Sequence, residues 1–156
     1  MSRLRGHGRC GIFGGSSFVG PSGAATTELV VTDYHTGLAI SGFDPVAYFT
    51  KSQALLGKVD IEARLAGATW RFVNEGNRQA FTDNPEVYMP AFGGYDPTGI
   101  ARGVAVAGHP MVWLIAGERL YLFYSPQTRD AFAASPVHIL ETARQKWPGV
   151  QSILVK

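Results

Sequence analysis

Alternation of apolar and polar side chains along the chain predicts two β-hairpins. Trp70 and Phe72 fall on one face of a strand while Arg71, between them, falls on the other, which is typical of a strand with one buried face. A second segment has the same kind of apolar run. The predicted strand pairs are 61–65 with 69–73, flanking Ala66-Gly67, and 111–115 with 119–123, flanking Ala116-Gly117-Glu118.

Helix start signals follow each predicted hairpin. Asn74 is placed to cap a helix after the first hairpin, and Ser125-Pro126 supplies a cap and a first-turn proline after the second. Asn84-Pro85 and Ser135-Pro136 are expected to start further helices by the same device. The last helix is predicted to run to about Trp147.

Several landmarks recur in the same order, which predicts a tandem repeat. Gly42-Phe43-Asp44-Pro45 returns 52 residues later as Gly94-Tyr95-Asp96-Pro97. Each tetrapeptide is expected to form a rigid corner, followed by an extended stretch at 46–50 and at 100–106. We therefore predict an α+β fold. Its mostly antiparallel sheet would come from two tandem strand–hairpin–helix units, about 42–92 and 94–148, with helices packed beside it.

The composition is that of a globular protein and restricts the classes of partner. Of 156 residues, 46% are apolar and 17% are charged, and the net charge is +2. Arg3, Arg5 and Arg9 precede the first acid, so the rest of the chain is nearly neutral. We therefore expect no nucleic-acid binding, which needs clustered Lys and Arg. No stretch approaches about 18 apolar residues, so no transmembrane segment is predicted.

Residues 1–27 are predicted to be a flexible or signal-like tail, and residues 28–156 the folded domain. The tail is rich in Arg at its start and in Gly and Ser later, with small residues at Ala24-Ala25. An export signal would place the protein in the periplasm or on the exterior of a membrane. A plain tail would leave a cytoplasmic location open.

A set of short motifs within residues 33–149 matches the pattern of one known family. The motifs lie at 41–49, 67–72, 77–81, 85–90, 92–95, 120–122 and 147–148. With them the chain resembles the YHS-domain family, in particular its small, mostly exported bacterial members of unassigned function. The resemblance implies a YHS-like domain in the bacterial cell envelope.

Two positions depart from the pattern of that family, and both concern cysteine. In the wider YHS group a Cys often follows Asp-Pro-Val, where this chain has Ala47. More similar relatives often carry Cys after Gly-Gly-Tyr, where this chain has Asp96. Both departures remove a thiolate that would bind copper, mercury or zinc. The resemblance therefore does not extend the metal or thiol chemistry of the family to this chain.

Asp44 and Asp96 are the acids that recur in both units. They are either paired carboxylates that bind a hard cation or transfer protons, or acceptors that fix the two Asp-Pro corners. A copper or zinc site is a further candidate, with Asp96, His109 and Met111 as ligands, because imidazole and thioether groups suit copper. No other cofactor is predicted.

An aromatic pocket between the units is the remaining candidate site. Phe92, Gly93, Gly94 and Tyr95 join the units, and glycine allows close approach to the backbone. With Asp44 and Asp96 they form the predicted ligand-binding set. Aromatic side chains are candidates for the walls, although core packing is their commoner use. These are Tyr34, Phe43, Tyr48, Phe49, Trp70, Phe72, Phe92, Tyr95, Trp113, Tyr121, Phe123 and Tyr124.

No catalytic residue is predicted, because no Gly-x-Ser-x-Gly motif occurs and no His–acid pair is placed beside a serine. The leading hypothesis is a non-enzymatic binding or accessory domain that joins a protein partner or larger complex. Two alternatives are a copper-type metal-binding protein and a small-ligand enzyme with its pocket between the repeats.

Overall fold

A computed structural model describes residues 29–155, and the predicted tail at 1–27 lies outside the described residues. The described chain is α+β, as predicted. Its strands are β1 (Lys58–Leu65), β2 (Ala68–Phe72), β3 (His109–Ala116) and β4 (Arg119–Phe123). Its helices are α1 (Ala47–Thr50), α2 (Glu75–Asp83), α3 (Pro85–Tyr88), α4 (Pro97–Ala101), α5 (Pro126–Ala134) and α6 (Pro136–Leu154), with short 3-10 turns at Ile40–Gly42 and Ala91–Gly94.

Both predicted hairpins are confirmed, since β1 pairs antiparallel with β2 and β3 pairs antiparallel with β4. The first strand of each hairpin contains a bulge. Pairing shifts between Lys58 and Glu62 in β1, and between His109 and Trp113 in β3. A bulge turns part of a strand away from the ladder, and the bulge in β3 contains Pro110, which has no N–H to donate.

The described strands form two separate two-stranded sheets rather than one sheet. The outer edge of β2 is occupied by the chain that precedes the first unit. Ala39 N–H donates to the Thr69 carbonyl at 2.8 Å, and Thr69 N–H donates to the Gly37 carbonyl at 3.1 Å. These bonds occupy that edge of β2 at Thr69, and no strand ladder joins the two hairpins among the described strands. The two hairpins therefore meet through side chains.

Strand β4 is the most completely buried strand and lies between two groups of core side chains. Leu120 and Leu122 join the core of the first unit, while Tyr121 and Phe123 pack with Phe132 of α5. Side chains alternate across a strand, so one strand serves both groups. The first core consists of Val30, Ala39, Ile40, Val46, Tyr48, Ile61, Ala68, Trp70, Phe72, Phe81, Leu120 and Leu122.

The first stretch predicted to be extended, 46–50, is mostly helix α1, and the second, 100–106, begins in the last two residues of α4, so the prediction was wrong at 47–50 and at 100–101. Asp44 Oδ1 accepts hydrogen bonds from the N–H groups of Val46 and Ala47, at 2.8 and 3.2 Å. Asp96 caps α4 by accepting the N–H of Thr98 at 2.8 Å. An acid that caps, followed by proline, is a helix start as well as a corner.

The predicted caps of the four helices that follow the hairpins, α2, α3, α5 and α6, are confirmed in part. The side chains of Asn74 and Ser125 each accept a backbone N–H, at 2.7 and 3.3 Å. The side chains of Asn84 and Ser135 make no such bond, so the prediction that they cap α3 and α6 was wrong. Both of those helices begin with proline, whose fixed φ suits the first helical turn without a cap.

Helix α6 is longer than predicted, because it continues through Pro148 to Leu154. Beyond the predicted end near Trp147, Val150 is buried and belongs to a core cluster with Ile100 of α4. Proline removes one backbone hydrogen bond from a helix. Burial of the last turns against α4 outweighs that loss.

Gly93 is predicted to tolerate no side chain. A Cβ there would lie 1.7 Å from the Leu29 carbonyl oxygen, and the residue has a φ of +64°. We expect Gly93→Ala to lower the free energy of unfolding by about 2 kcal/mol or more, because left-handed strain adds to displacement of the segment at Leu29. Urea unfolding would measure the loss.

Gly103→Ala is the matched control for this experiment. Gly103 also has a positive φ, of +80°, but a Cβ there would meet nothing within 4 Å. Its loss should be about 1 kcal/mol, from backbone strain alone. Equal losses at Gly93 and Gly103 would show that the contact with Leu29 contributes nothing.

Candidate functional site

Asp44 is a buried carboxylate that ties together three parts of the first unit. Besides the two N–H groups of α1, it accepts Val73 N–H at 2.8 Å, just after β2, and the Asn77 side-chain amide of α2 at 2.7 Å, both on Oδ2. Its exposed fraction is 0%. A buried charge needs such hydrogen bonds, because burial removes the water that would otherwise solvate it.

Asp96 is bonded in the same way in the second unit. Its Oδ1 accepts the N–H and hydroxyl of Thr98, at 2.8 and 2.7 Å. Its Oδ2 accepts Tyr124 N–H, just after β4, at 2.9 Å and the Thr128 hydroxyl of α5 at 2.6 Å. We call the arrangements around Asp44 and Asp96 the two carboxylate clamps.

The carboxylate clamps support the interpretation of both acids as acceptors that fix corners. All of their hydrogen-bond donors come from the same unit as the carboxylate, whereas paired carboxylates would have to face each other across the units. The bonds also extend further than the sequence indicates. Each clamp reaches from its corner to the end of a strand and to the following helix.

The predicted metal ligands have other contacts in the structure. Asp96 is held in its carboxylate clamp, His109 Nδ1 accepts the N–H of Met111 at 3.0 Å, and the side chain of Met111 is exposed. Within residues 29–155, no group of three His, Cys, Asp or Glu side chains is placed to hold a metal ion. The contacts of Asp96 and His109 are therefore explained without a metal.

Among residues 29–155, the four residues predicted to line a pocket lie in different surroundings. Phe92 borders a cavity of about 280 Å³, and Tyr95 borders a different one of about 280 Å³. Gly93 is covered by the backbone at Leu29, and Gly94 is buried. Glycine at this junction thus serves close packing of the chain on itself.

A groove of about 650 Å³ lies between the two units, and we call it the aromatic groove. The first unit contributes residues from α1, from the segment after it and from α3, and the second contributes β3 and the turn after it. The lining residues are Tyr48, Phe49, Ser52, Val87, Tyr88, Trp113, Leu114, Ile115 and Glu118. Its volume is within the range of about 300–1,000 Å³ that is usual for small-molecule sites.

Four aromatic rings form two perpendicular pairs along the groove. The ring centroids of Tyr48 and Trp113 are 5.2 Å apart at 71°, and those of Phe49 and Tyr88 are 5.4 Å apart at 85°. Edge-to-face contacts of this kind are favourable for aromatic rings. The first pair also joins the two units, since it connects α1 to β3.

Tyr48 is fixed at the base of the groove by a buried hydrogen bond. Its hydroxyl donates to the Pro110 carbonyl at 2.8 Å, at the bulge in β3, and its exposed fraction is 0%. Burial raises the pKa of Tyr48 well above its usual value, and the charge of Asp44 raises it further. The hydroxyl therefore stays protonated and remains a donor.

Tyr48, Phe49 and Trp113 are among the predicted pocket walls and do line the groove, whereas its other lining residues were not predicted, although a comparison of the two hairpins points to β3. At equivalent register positions, β1 has Glu62 and Arg64 where β3 has Trp113 and Ile115. Charged side chains on an outer strand are typical of a solvated edge, whereas apolar ones mark a covered or binding surface. The sequence predicts Glu118 as part of a turn and gives no sign of a site there.

Comparison of the chain with models of known protein families, with curated proteins and with solved structures found no match. The resemblance to the YHS-domain family therefore stays a prediction. No helix within residues 29–155 is long and apolar enough to cross a membrane. The periplasmic or membrane-associated location also stays a prediction.

Proposed function

We propose that the chain is a non-enzymatic binding domain whose site is the aromatic groove. The observation that carries this proposal is the groove itself, which has a volume of about 650 Å³ and brings apolar side chains of both units together. Ligand sites in proteins are typically concave and mostly apolar, with a few polar groups that orient the ligand. Here the exposed polar groups are the side chains of Ser52 and Glu118.

The difference between the two hairpins supports a role for β3 that β1 does not share. Glu62 of β1 forms an ion pair with Arg71 of β2, with 2.8 Å between Oε1 and Nε, and both side chains are partly exposed to solvent. The corresponding pair in the second hairpin is Trp113 opposite Leu122. Trp113 packs in part against the core of the first unit, and the rest of its side chain stays partly exposed in the groove. A ligand in the groove would cover that exposed part.

We propose that the two units are copies of one ancestral unit, supported by the matching bulges and carboxylate clamps. Divergence of one copy would then have produced the groove. An accessory role in the cell envelope, with a protein partner, remains a prediction from the family resemblance.

Binding of the uncharged fluorescent probe N-phenyl-1-naphthylamine tests the proposed function. We expect the full chain to bind it saturably with one site. Trp113→Ala should weaken binding at least tenfold, because a large apolar contact contributes about 1.5–3 kcal/mol. Fluorescence titration would measure the dissociation constants.

Trp147→Ala is the matched control, because Trp147 borders another cavity, beside Phe92. Binding by this variant should stay within about threefold of the unmodified chain, a change below 1 kcal/mol. Urea unfolding would verify that both variants are folded at the titration temperature. Absence of saturable binding to the unmodified chain, or equal losses in the two variants, would overturn the proposal.

A further inference from the structure

We propose that the ligand of the aromatic groove is an organic cation, with a substituted ammonium group carried on an apolar frame. This inference rests on the proposed function, because it concerns the chemistry of what the same groove holds. Two independent features of the groove lead to it: the three partly exposed aromatic rings along its walls and a single carboxylate among its lining residues.

The rings provide the surfaces that attract such a cation. An aromatic ring has a negative face, and substituted ammonium groups bind over the faces of Trp, Tyr and Phe. Three of these rings, those of Phe49, Tyr88 and Trp113, are partly exposed, and because Phe49 and Tyr88 are inclined at 85° their faces point in different directions. A compact cation could therefore contact several faces at once, while its alkyl groups lie against Ile115.

The charge of the groove also favours a cation. Among the described residues that line it, Glu118 carries the single formal charge, and none is Lys, Arg or His. No hydrogen bond or ion pair within residues 29–155 occupies the Glu118 carboxylate. An anionic ligand would be repelled by this carboxylate, whereas a cation would be attracted.

Glu118 occupies a turn position where the first hairpin has glycine. Glu118 lies in the turn between β3 and β4 with a φ of +61°, a conformation that glycine adopts far more readily. The corresponding position of the first hairpin is occupied by Gly67, with a φ of +75°. The other position of the turn shows the opposite exchange, with Ala66 at a φ of +53° in the first hairpin and Gly117 in the second, so the positive φ is a property of the turn and Glu118 is distinguished by its charge.

A pair of probes with the same shape tests the inference. Choline carries a quaternary ammonium, and 3,3-dimethylbutan-1-ol replaces it with an uncharged tertiary-butyl group. Each would be titrated against the full chain loaded with N-phenyl-1-naphthylamine, and displacement would be followed by fluorescence. We expect choline to displace the probe at about a tenfold lower concentration, since a partly desolvated cation gains on this order from aromatic faces.

Two substitutions separate the carboxylate from the turn it occupies. Glu118→Gln should reduce the preference for choline to about threefold or less, and Glu118→Gly should do the same while relieving the left-handed strain. Glu141→Gln, on the exposed surface of α6, should leave the tenfold preference unchanged. A preference retained in both Glu118 variants would overturn the inference.

The same titration distinguishes failure of this inference from failure of the proposed function. If the neutral probe binds but the two small molecules displace it equally, the groove is a binding site without a preference for cations, and the inference is overturned. If the neutral probe does not bind, the proposed function itself fails, and this inference fails with it.

Discussion

Replacing Asp96 with asparagine should lower the free energy of unfolding by about 3 kcal/mol, because two charge-assisted hydrogen bonds are lost at about 1.5 kcal/mol or more each. If the amide nitrogen replaces Oδ2, it is a donor and can accept neither the Tyr124 N–H nor the Thr128 hydroxyl. The same substitution at Asp44 should have a similar effect through Val73 and Asn77. Urea unfolding followed by circular dichroism would measure both losses.

Asp60→Asn is the matched control for the two carboxylate clamps, because Asp60 is an exposed acid on β1. It should change the free energy of unfolding by less than about 0.5 kcal/mol. If Asp44→Asn and Asp96→Asn were both as mild as this control, the clamps would contribute little to stability. A large loss of stability in one variant and not in the other would mean that the two units differ in how each is stabilised internally.

Truncation of Phe81 or Phe132 to alanine should destabilise the protein by about 4 kcal/mol in each case, because a fully buried ring is replaced by a cavity. Both side chains have exposed fractions of 0%. Phe81 contacts the rings of Trp70 and Phe72, with centroids 4.9 and 5.2 Å away. Phe132 contacts Tyr121 and Phe123 in the same way, at 5.1 and 5.2 Å.

Thermal and urea unfolding would compare these variants with Tyr34→Ala, which removes a ring that is 91% exposed and should change stability by less than about 0.5 kcal/mol. If the alanine variants do not fold, Phe81→Leu and Phe132→Leu would replace them, with losses of about 1–2 kcal/mol expected for volume-reducing changes within the core. Clearly unequal losses at the two positions would contradict the view that each helix is anchored by an equivalent ring.

The hairpins and the helices after them were predictable because their signals are local. Trp70 and Phe72 alternate with Arg71, and the structure buries the first two completely while Arg71 is half-buried. The helices after each hairpin begin at Asn74 and Ser125 because a cap acts within three residues of itself.

The carboxylate clamps could be predicted in part. That Asp44 fixes a corner follows from the residues beside it. That it also holds Val73 and Asn77 does not, because those donors come near it after the hairpin has folded back. The same limit explains the error at α1 and α4. A cap-and-proline start resembles an isolated turn until the helix that follows is packed.

The aromatic groove was less accessible to sequence reasoning than the fold. Trp113 and Trp70 are both aromatic residues in predicted strands, yet one borders a groove and the other is fully buried. Their difference depends on how the two units meet, which a local pattern does not encode. The replacement of charged residues in β1 by apolar ones in β3 was the available signal.

The carboxylate clamps also bear on the order in which the two units fold during translation. Asp44 and Asn77 are separated by 33 positions, and Asp96 and Thr128 by 32, so each loop closes within a short piece of nascent chain. The amino-terminal unit can thus form the hydrogen bonds of its carboxylate clamp before the second unit is translated. The apolar core of this unit nevertheless stays incomplete until Leu120 and Leu122 have left the ribosome. During that interval its apolar side chains are exposed, and a chaperone would be of most use.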